Sequence, residues 1–390
     1  MSSETEIRPF RVDMPDEAIA DLRRRIAATR WPAKEVVADR SQGVQLATIQ
    51  ELARYWAADY DWRACEARLN ALPQFTTEID GVDIYFIHVK SRHAGALPLI
   101  ITHGWPGSVI ELLGVIGPLT DPAAHDGSAD DAFDLVVPSL PGYGFSAAPA
   151  EAGWDPGRIA QAWAELMRRL GYARYVAQGG DQGAWVTDAM GRQAPEGLAG
   201  IHMNLLVTTD GATLPTGTEQ ERAAADARKE FMTSGFGYFL EQATRPQTIG
   251  YALLDSPLAL AAWMLDHDTD AYYKISRAFT DGQPSGGLTR DHILDNITVY
   301  WLTGTGASAA RSYWEHGRAP AAGQAPPPVK LPVGFTVFPG ESFRAPRSWV
   351  ELGYPTLSYF HEADRGGHFA AWEEPELFAT EIRAAFKPLR

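Results

Sequence analysis

The stretch Gly179-Gly180-Asp181-Gln182-Gly183 decides the fold, because it surrounds a central side chain with the small neighbours of a nucleophile elbow. Such an elbow turns sharply from a strand into a helix and needs small residues two positions before and after the exposed nucleophile. An apolar run at residues 175–177 precedes this turn, and a helical stretch follows it. Alone, the five residues favour the more common alternative, a glycine-rich turn in which an aspartate caps a helix.

The sequence around this turn alternates apolar runs of strand length with helical stretches. The runs cover residues 97–102, 133–137, 175–177, 201–206, 333–338 and 356–360, and residues 375–386 form the last predicted helix. Such alternation predicts a parallel sheet covered by helices on both faces. Residues 212–320 interrupt it with an aromatic-rich, mostly helical segment, and residues 319–328 have the Ala/Gly/Pro-rich composition of a linker. This layout predicts a core domain that carries a helical lid.

The first 95 residues follow a different pattern. The first 70 are mostly helical in pattern, with a helix predicted to begin at Pro15 and to end at Trp31-Pro32. Asp80-Gly81 joins two apolar runs and is typical of a two-residue hairpin turn. We therefore expect an N-terminal helical and meander extension at residues 1–95, a core at residues 96–211 and 321–390, and a lid at residues 212–320.

Composition and charge exclude several classes of function. The chain has 390 residues, and 34 basic against 49 acidic side chains give a net charge of −15. This balance disfavours binding to nucleic acid or to an anionic membrane, since both need basic patches. Cys65 is the only cysteine, so no intrachain disulfide can form, and we expect a reducing, cytoplasmic location. No apolar run reaches the roughly 18 residues of a membrane span, and the N-terminus lacks a signal-peptide pattern, so we expect no membrane anchor.

A second turn, His103-Gly104-Trp105-Pro106-Gly107-Ser108, directly follows the apolar run at residues 97–102. A sharp turn at this place can aim a backbone N–H at an oxyanion. We expect the N–H groups of Trp105 and of Gln182, the residue after the elbow, to form an oxyanion hole.

Two further candidates follow the last predicted strands. His368 lies in Gly366-Gly367-His368-Phe369, and Glu341 lies just past the run at residues 333–338. A carboxylate beside a base histidine holds its tautomer and stabilises its cation. Asp210, which follows the run at residues 201–206, is an alternative to Glu341 in this role. Oxyanion turn, elbow, acid and histidine occur in the order of an α/β-hydrolase, which predicts that fold with a mostly parallel central sheet.

The aspartate at the elbow indicates which bonds the protein breaks. A carboxylate that attacks an alkyl carbon gives an ester, which a histidine-activated water can hydrolyse. Asp181 therefore favours epoxide opening or dehalogenation over esterase or peptidase chemistry. A halide needs only weak N–H donors as it leaves, whereas an epoxide oxygen needs a proton donor such as a tyrosine hydroxyl. Neither reaction requires a metal or an organic cofactor.

The sequence resembles the microsomal-type epoxide hydrolase family over essentially the whole chain. The motifs that carry the resemblance are Arg8-Pro9-Phe10, Arg30-Trp31-Pro32, the turn at residues 103–108, the elbow, Phe338-Pro339-Gly340-Glu341 with Pro346 and Trp349, Arg365-Gly366-Gly367-His368-Phe369-Ala370-Ala371 and Glu373-Glu374-Pro375-Glu376. Gln182 departs from the tryptophan that is usual in this family's elbow. Because we expect no N-terminal membrane anchor like that of the mammalian members, the chain resembles the soluble bacterial ones.

The resemblance also selects two lid tyrosines as donors to the epoxide oxygen. Tyr238 follows Gly237 upstream of Thr244-Arg245-Pro246, and Tyr313 follows Arg311-Ser312. We further expect three residues to contact the substrate, namely Trp105, Pro106 and Phe236.

The sequence thus predicts a cofactor-independent hydrolysis of an epoxide to a vicinal diol through an ester on Asp181. The aromatic lid favours a bulky or aryl, styrene-oxide-like epoxide, as found in secondary metabolism or detoxification. One alternative is a haloalkane dehalogenase, which Gln182 weakens because many such enzymes hold the halide with a tryptophan at that position. Another is a non-catalytic binding protein of the same fold. The N-terminal extension is expected either to wrap the core or to form a homodimer interface.

Overall fold

A computed structural model describes residues 6–209, 211–317 and 327–390. Two sequence-based predictions lie outside these residues: the alternative acid Asp210, and the linker apart from its last two residues, Pro327 and Pro328. The boundary between lid and core at residues 320 and 321 lies outside them as well.

A mixed sheet forms the centre of the molecule. Its strands are β1 (Arg8–Pro9), β2 (Gln74–Ile79), β3 (Val82–Val89), β4 (Leu97–Thr102), β5 (Phe133–Pro138), β6 (Tyr175–Gly179), β7 (Leu198–Met203), β8 (Val333–Val337) and β9 (Leu357–Glu362). The described residues place these nine strands in the order β1-β2-β3-β5-β4-β6-β7-β8-β9. Strands β4 to β9 are parallel, whereas β1, β2 and β3 join antiparallel at one edge. The predicted fold, with its mostly parallel sheet, is confirmed.

Helices cover this sheet and form the lid. They are α1 (Asp16–Ala27), α2 (Leu46–Ala58), α3 (Trp62–Asn70), α4 (Ile116–Thr120), α5 (Pro156–Arg169), α6 (Asp181–Gln193), α7 (Glu219–Glu230), α8 (Gly237–Thr244), α9 (Pro246–Asp255), α10 (Pro257–Leu265), α11 (Thr269–Thr280), α12 (Arg290–Thr303), α13 (Gly306–His316), α14 (Arg347–Gly353), α15 (Ala370–Glu373) and α16 (Pro375–Phe386). Helices α7 to α13 lie in the predicted lid segment, between β7 and β8. Within the described part of the chain, no helix is both long enough and apolar enough to cross a membrane.

Most predicted elements are confirmed to within a residue or two. Asp80 and Gly81 both have positive φ, at 49° and 78°, as the predicted hairpin turn between β2 and β3 requires. The prediction for β7 was wrong by three residues, because the chain leaves the sheet after Met203. There Asn204 accepts a side-chain hydrogen bond from Gln178 on the neighbouring strand. The first helix also ends earlier than predicted, at Ala27 rather than at Trp31.

The N-terminal extension packs against the lid. Trp56 of α2 donates a hydrogen bond from its indole to Thr298 of α12, at 2.9 Å between Nε1 and Oγ1. Asp295, on the same lid helix, accepts a hydrogen bond from Tyr60 at 2.9 Å and pairs with Arg68 of α3. The extension therefore contacts helix α12 of the lid and adds strands to the sheet, whereas its two predicted roles, wrapping the core and forming a homodimer interface, stay predictions.

Candidate active site

The elbow has the strained geometry that its sequence predicts. Strand β6 ends at Gly179, and α6 begins at Asp181, whose φ is +47°. A side chain in this left-handed region costs of the order of 1 to 3 kcal/mol, and at the start of a helix after a strand it is the conformation of a nucleophile elbow. A Cβ on Gly179 would lie 2.1 Å from the carbonyl oxygen of Gly183, and one on Gly183 would lie 2.0 Å from that of Thr102. Glycine at position 179 therefore lets β6 lie close to α6, and glycine at position 183 lets α6 lie close to the end of β4.

Replacing Gly183 with alanine is expected to destabilise the fold by about 3 kcal/mol, since a fixed backbone atom must move to admit the new methyl group. Urea unfolding followed by circular dichroism measures this loss. Gly217→Ala is the matched control, because a Cβ there meets no atom closer than 3.8 Å. Equal stability of the two variants would contradict the steric account of the elbow.

The turn after β4 contacts the elbow through its backbone. The N–H of Trp105 donates a hydrogen bond to Oδ1 of Asp181 at 2.7 Å. Lid helix α12 holds this turn, because Asn296 donates to the carbonyl of Pro106 at 2.7 Å and Tyr300 donates to that of Gly107 at 2.5 Å. The N–H of Gln182 belongs to the first turn of α6, where such groups have no partner within the helix. One carboxylate oxygen is therefore held at the predicted oxyanion hole, and the other is left open.

His368 and Glu341 meet behind the open oxygen of Asp181. Nδ1 of His368 lies 2.8 Å from Oε1 of Glu341, and Nε2 lies 3.5 Å from Oδ2 of Asp181. The backbone N–H of Gly340 donates to the carbonyl of Gly366 at 2.9 Å, which joins the two loops that carry these side chains. The structure thus brings together the aspartate, acid and histidine that the sequence predicts.

Charges inside this cluster shift its pKa values in opposite directions. Burial alone would lower the pKa of His368, but Glu341 and Asp181 outweigh it and raise that pKa well above its usual value. Burial alone would raise the pKa of Asp181, but the imidazoles of His267 and His368 beside it lower that pKa well below the usual range. These shifts favour the carboxylate form of Asp181 and the protonated form of His368.

The two predicted tyrosines lie together in the lid. Tyr238 of α8 and Tyr313 of α13 are both buried, and their rings meet edge to face with centroids 6.1 Å apart. The Tyr313 hydroxyl is buried and has no hydrogen-bond partner among the described residues. Burial and the nearby charge of Asp181 raise the pKa of each tyrosine well above its usual value. Both hydroxyls therefore keep the hydrogen that a donor needs.

Sequence reasoning missed one residue of this site, His267. It lies between α10 and α11, with Nε2 3.0 Å from the Tyr238 hydroxyl and 3.7 Å from Oδ2 of Asp181. Its Nδ1 lies 3.3 Å from Oδ2 of Asp268. The stretch around His267 matches none of the motifs considered, so the sequence carries no signal for its place in the site.

The three predicted substrate-binding residues have different surroundings. The Trp105 ring is fully buried against Tyr300, and Pro106 lines a narrow cavity that His267 also lines. Phe236 stacks on Phe239, with ring centroids 4.2 Å apart. The Phe239 ring in turn contacts the ring of Tyr313 edge to face. Contact between these residues and a substrate stays a prediction.

A cavity of about 650 Å³ opens beside the cluster. It lies between the end of α7, the start of α11 and the loop after β8, and it reaches His267 and Glu341. Its wall mixes charged and aromatic side chains, among them Arg40, Arg277, Phe231 and Tyr273. A cavity of this size can hold a small organic molecule.

One group of described residues brings histidine and carboxylate atoms close enough together to bind a metal ion. The ligand atoms of Asp181, His267 and His368 all lie within 4.8 Å of one another. The positive φ of Asp181 at the elbow is the geometry expected of a nucleophile, which favours acid–base chemistry as the role of these atoms.

Comparison with known proteins agrees with this arrangement. Residues 7–112 match the family model described as the epoxide hydrolase N terminus. The chain is 52% identical over 388 residues to a Stigmatella aurantiaca protein provisionally named an epoxide hydrolase, covering 98% of this chain and 86% of that protein. It is 36% identical to epoxide hydrolase 1 of Sus scrofa, covering 98% and 89% of the two chains.

Solved structures show the same architecture. The epoxide hydrolase of Aspergillus niger superposes with a TM-score of 0.85 at 31% identity, covering 100% of this chain and 98% of that one. The juvenile hormone epoxide hydrolase of the silkworm Bombyx mori gives a TM-score of 0.86 at 29% identity, with 99% and 95% covered. Sequence and structure agree over nearly the whole length, and the chain belongs to the epoxide hydrolase family.

Proposed function

We propose that this chain converts an epoxide to a vicinal diol through a covalent ester on Asp181, with no cofactor. One observation carries the proposal: the N–H of Trp105 holds Oδ1, while Oδ2 stays open towards Nε2 of His368. A carboxylate held in this way presents one oxygen as the nucleophile and keeps the other where an oxyanion must later be stabilised.

Ring opening uses the open oxygen. Oδ2 of Asp181 attacks a ring carbon, a C–O bond of the epoxide breaks, and the released oxygen takes a proton from a lid tyrosine. Tyr238 and Tyr313 suit this role because they are buried beside one another and remain protonated. The product of this step is an alkyl ester whose carbonyl oxygen is Oδ1.

Ester formation prepares His368 for the second step. The charge of Asp181, which helps to raise the pKa of His368, disappears when the ester forms. The pKa then falls, so that His368 can return its Nε2 proton towards the tyrosinate that ring opening leaves, and can then act as a base. It deprotonates a water that attacks Cγ of Asp181, the N–H groups of Trp105 and Gln182 stabilise the oxyanion, and the diol leaves.

The substrate we propose is a bulky or aryl epoxide. Phe231, Phe236 and Phe239 form a contiguous set of aromatic rings that ends on the ring of Tyr313. Such rings bind a flat apolar group well, because aromatic pairs gain beyond simple burial. Styrene oxide is therefore a suitable first substrate.

Removing the tyrosine hydroxyls tests the ring-opening step. We expect Tyr238→Phe and Tyr313→Phe each to lower kcat/KM for styrene oxide by about 10- to 100-fold, and the double variant by more than about 1000-fold. The measurement is diol formation by chromatography. A double variant that keeps activity within about 10-fold of wild type would contradict this role for the pair.

The dehalogenase alternative rests on one observation, since the buried Nε1 of Trp105 has no hydrogen-bond partner among the described residues. The same wild-type preparation can be assayed for halide release from a chlorinated alkane. Halide release faster than diol formation would favour that alternative.

A further inference from the structure

Two histidine–carboxylate pairs converge on the nucleophile from different parts of the chain. The Glu341–His368 pair comes from the loops after β8 and β9, and the Asp268–His267 pair comes from the lid. The Nε2 atoms of the two histidines lie 3.5 Å and 3.7 Å from the same atom, Oδ2 of Asp181. The mechanism above uses only the first pair.

The lid pair is held firmly in place. Asp268 caps α11, because its Oδ1 accepts a hydrogen bond from the N–H of Ala271 at 2.8 Å. Its Oδ2 then faces Nδ1 of His267, and both side chains are almost fully buried. This arrangement fixes the ring of His267 and leaves Nε2 directed at the Tyr238 hydroxyl, 3.0 Å away.

The protonation state of His267 decides whether Tyr238 can act as a donor. A tyrosine hydroxyl has a single hydrogen. If Nε2 of His267 carries no proton, the hydroxyl donates to it, and its hydrogen is occupied. If Nε2 carries a proton, it donates to the hydroxyl oxygen, and the tyrosine hydrogen is free for the epoxide oxygen.

The surroundings of His267 favour the protonated form. Burial and the charge of His368 each lower its pKa, but the carboxylates of Asp181 and Asp268 outweigh them and raise it above the usual value. The titratable and charged groups that face His267 or line the cavity beside it are Asp181, His368, Tyr238, Asp268, Glu341, Arg40, Glu230, Asp270, Tyr273 and Arg277.

We propose that His267, held by Asp268, is a proton relay that keeps the Tyr238 hydrogen available and replaces it as the epoxide opens. This inference rests on the proposed function. Because His267 acts through Tyr238, it is a positioning and relay residue. The relay distinguishes Tyr238 from Tyr313, whose hydroxyl has no such partner among the described residues.

The protons balance over a full cycle. As the Asp181 ester forms, the epoxide C–O bond breaks, its oxygen takes the Tyr238 hydrogen, and Tyr238 takes the Nε2 proton of His267. His368 then passes its own Nε2 proton to His267 through a bridging water, over a span of at most 4.8 Å. His368 is now neutral and can take a proton from the attacking water. Both histidines end protonated, Asp181 is again a carboxylate, and one epoxide and one water have become a diol.

A single-turnover experiment tests the relay. Enzyme in excess is mixed with styrene oxide, quenched at intervals and analysed by intact-mass spectrometry for the ester. We expect His267→Gln to form the ester about 10- to 100-fold more slowly than wild type, an effect no larger than that of Tyr238→Phe, because His267 acts through that hydroxyl. The wild-type rate should fall as pH rises through the His267 pKa, and this dependence should be absent in the variant. The matched control is His361→Gln, because His361 is a half-exposed histidine that is likewise paired with a carboxylate, that of Glu381.

Double variants separate a relay from a merely structural role. In a Tyr238→Phe background, His267→Gln should slow ester formation by less than about 3-fold, whereas in a Tyr313→Phe background it should keep its full effect. Asp268→Asn retains the imidazole of His267 but removes a charge that raises its pKa, so the fall in rate should move to lower pH. This variant tests the relay if His267→Gln does not fold.

Two outcomes would overturn the relay: an ester-formation rate in His267→Gln within about 2-fold of wild type, or equal effects in both tyrosine backgrounds. The failures are distinguishable. Wild type that turns over without an Asp181 ester overturns the proposed function and the relay together, whereas a normal ester in both wild type and His267→Gln overturns only the relay.

Discussion

Asp181→Asn is expected to reduce diol formation from styrene oxide by at least about 10⁴-fold, the scale seen when a covalent nucleophile is lost. An amide is a poor nucleophile, but its oxygen can still accept the hydrogen bond from Trp105 that Oδ1 accepts in the wild type. The variant therefore removes the attack while leaving the elbow and the oxyanion turn in place. Diol from racemic styrene oxide, separated by chiral chromatography, measures the loss.

The control for this experiment guards against reversion. Hydrolysis of the new amide would regenerate Asp181, so the peptide that contains residue 181 must be checked by mass before and after the assay. Undiminished diol formation by a verified asparagine variant would show that Asp181 is not the nucleophile.

The second large effect is expected for His368→Gln, in which the ester should form but persist. Ring opening needs Asp181 and the lid tyrosines, whereas ester hydrolysis needs a base to deprotonate water. Loss of that base should slow hydrolysis by about 10³-fold. Intact-mass spectrometry after mixing with styrene oxide should show the enzyme mass increased by one molecule of epoxide.

Glu341→Gln is an informative companion to that variant. The glutamine can still accept a hydrogen bond from Nδ1 of His368, which Glu341 accepts at 2.8 Å, but it removes the charge that helps to raise the His368 pKa. We expect slower hydrolysis with a smaller loss than in His368→Gln. Complete absence of an adduct in His368→Gln, with ring opening still detected, would contradict the assignment of His368 as the base.

The fold and most of the site could be predicted because their signals are local. Buried parallel strands appear as short apolar runs, and the side chains of the site follow the ends of those runs in a fixed order. The elbow is readable for the same reason, since the close approach of α6 to β6 requires glycine at position 179 and its close approach to the end of β4 requires glycine at position 183.

The lid contribution was less accessible to sequence reasoning. Tyr238 and Tyr313 came from the family resemblance, because lid tyrosines share a similar aromatic context and only tertiary packing distinguishes them. His267 was missed altogether, since its place beside Asp181 depends on how the segment between α10 and α11 docks over the sheet. The packing of the N-terminal helices on α12 is likewise a product of tertiary contacts such as Trp56 to Thr298.

The covalent ester on Asp181 is the central claim, and oxygen labelling tests it most directly. Enzyme in excess over styrene oxide completes a single turnover in water enriched in ¹⁸O. Mass spectrometry then measures the ¹⁸O content of the diol and of the peptide that contains residue 181. Because the water attacks Cγ of Asp181, we predict ¹⁸O in the peptide and none in the diol. Label in the diol with an unlabelled peptide would mean that water attacks the epoxide directly, and would contradict the account.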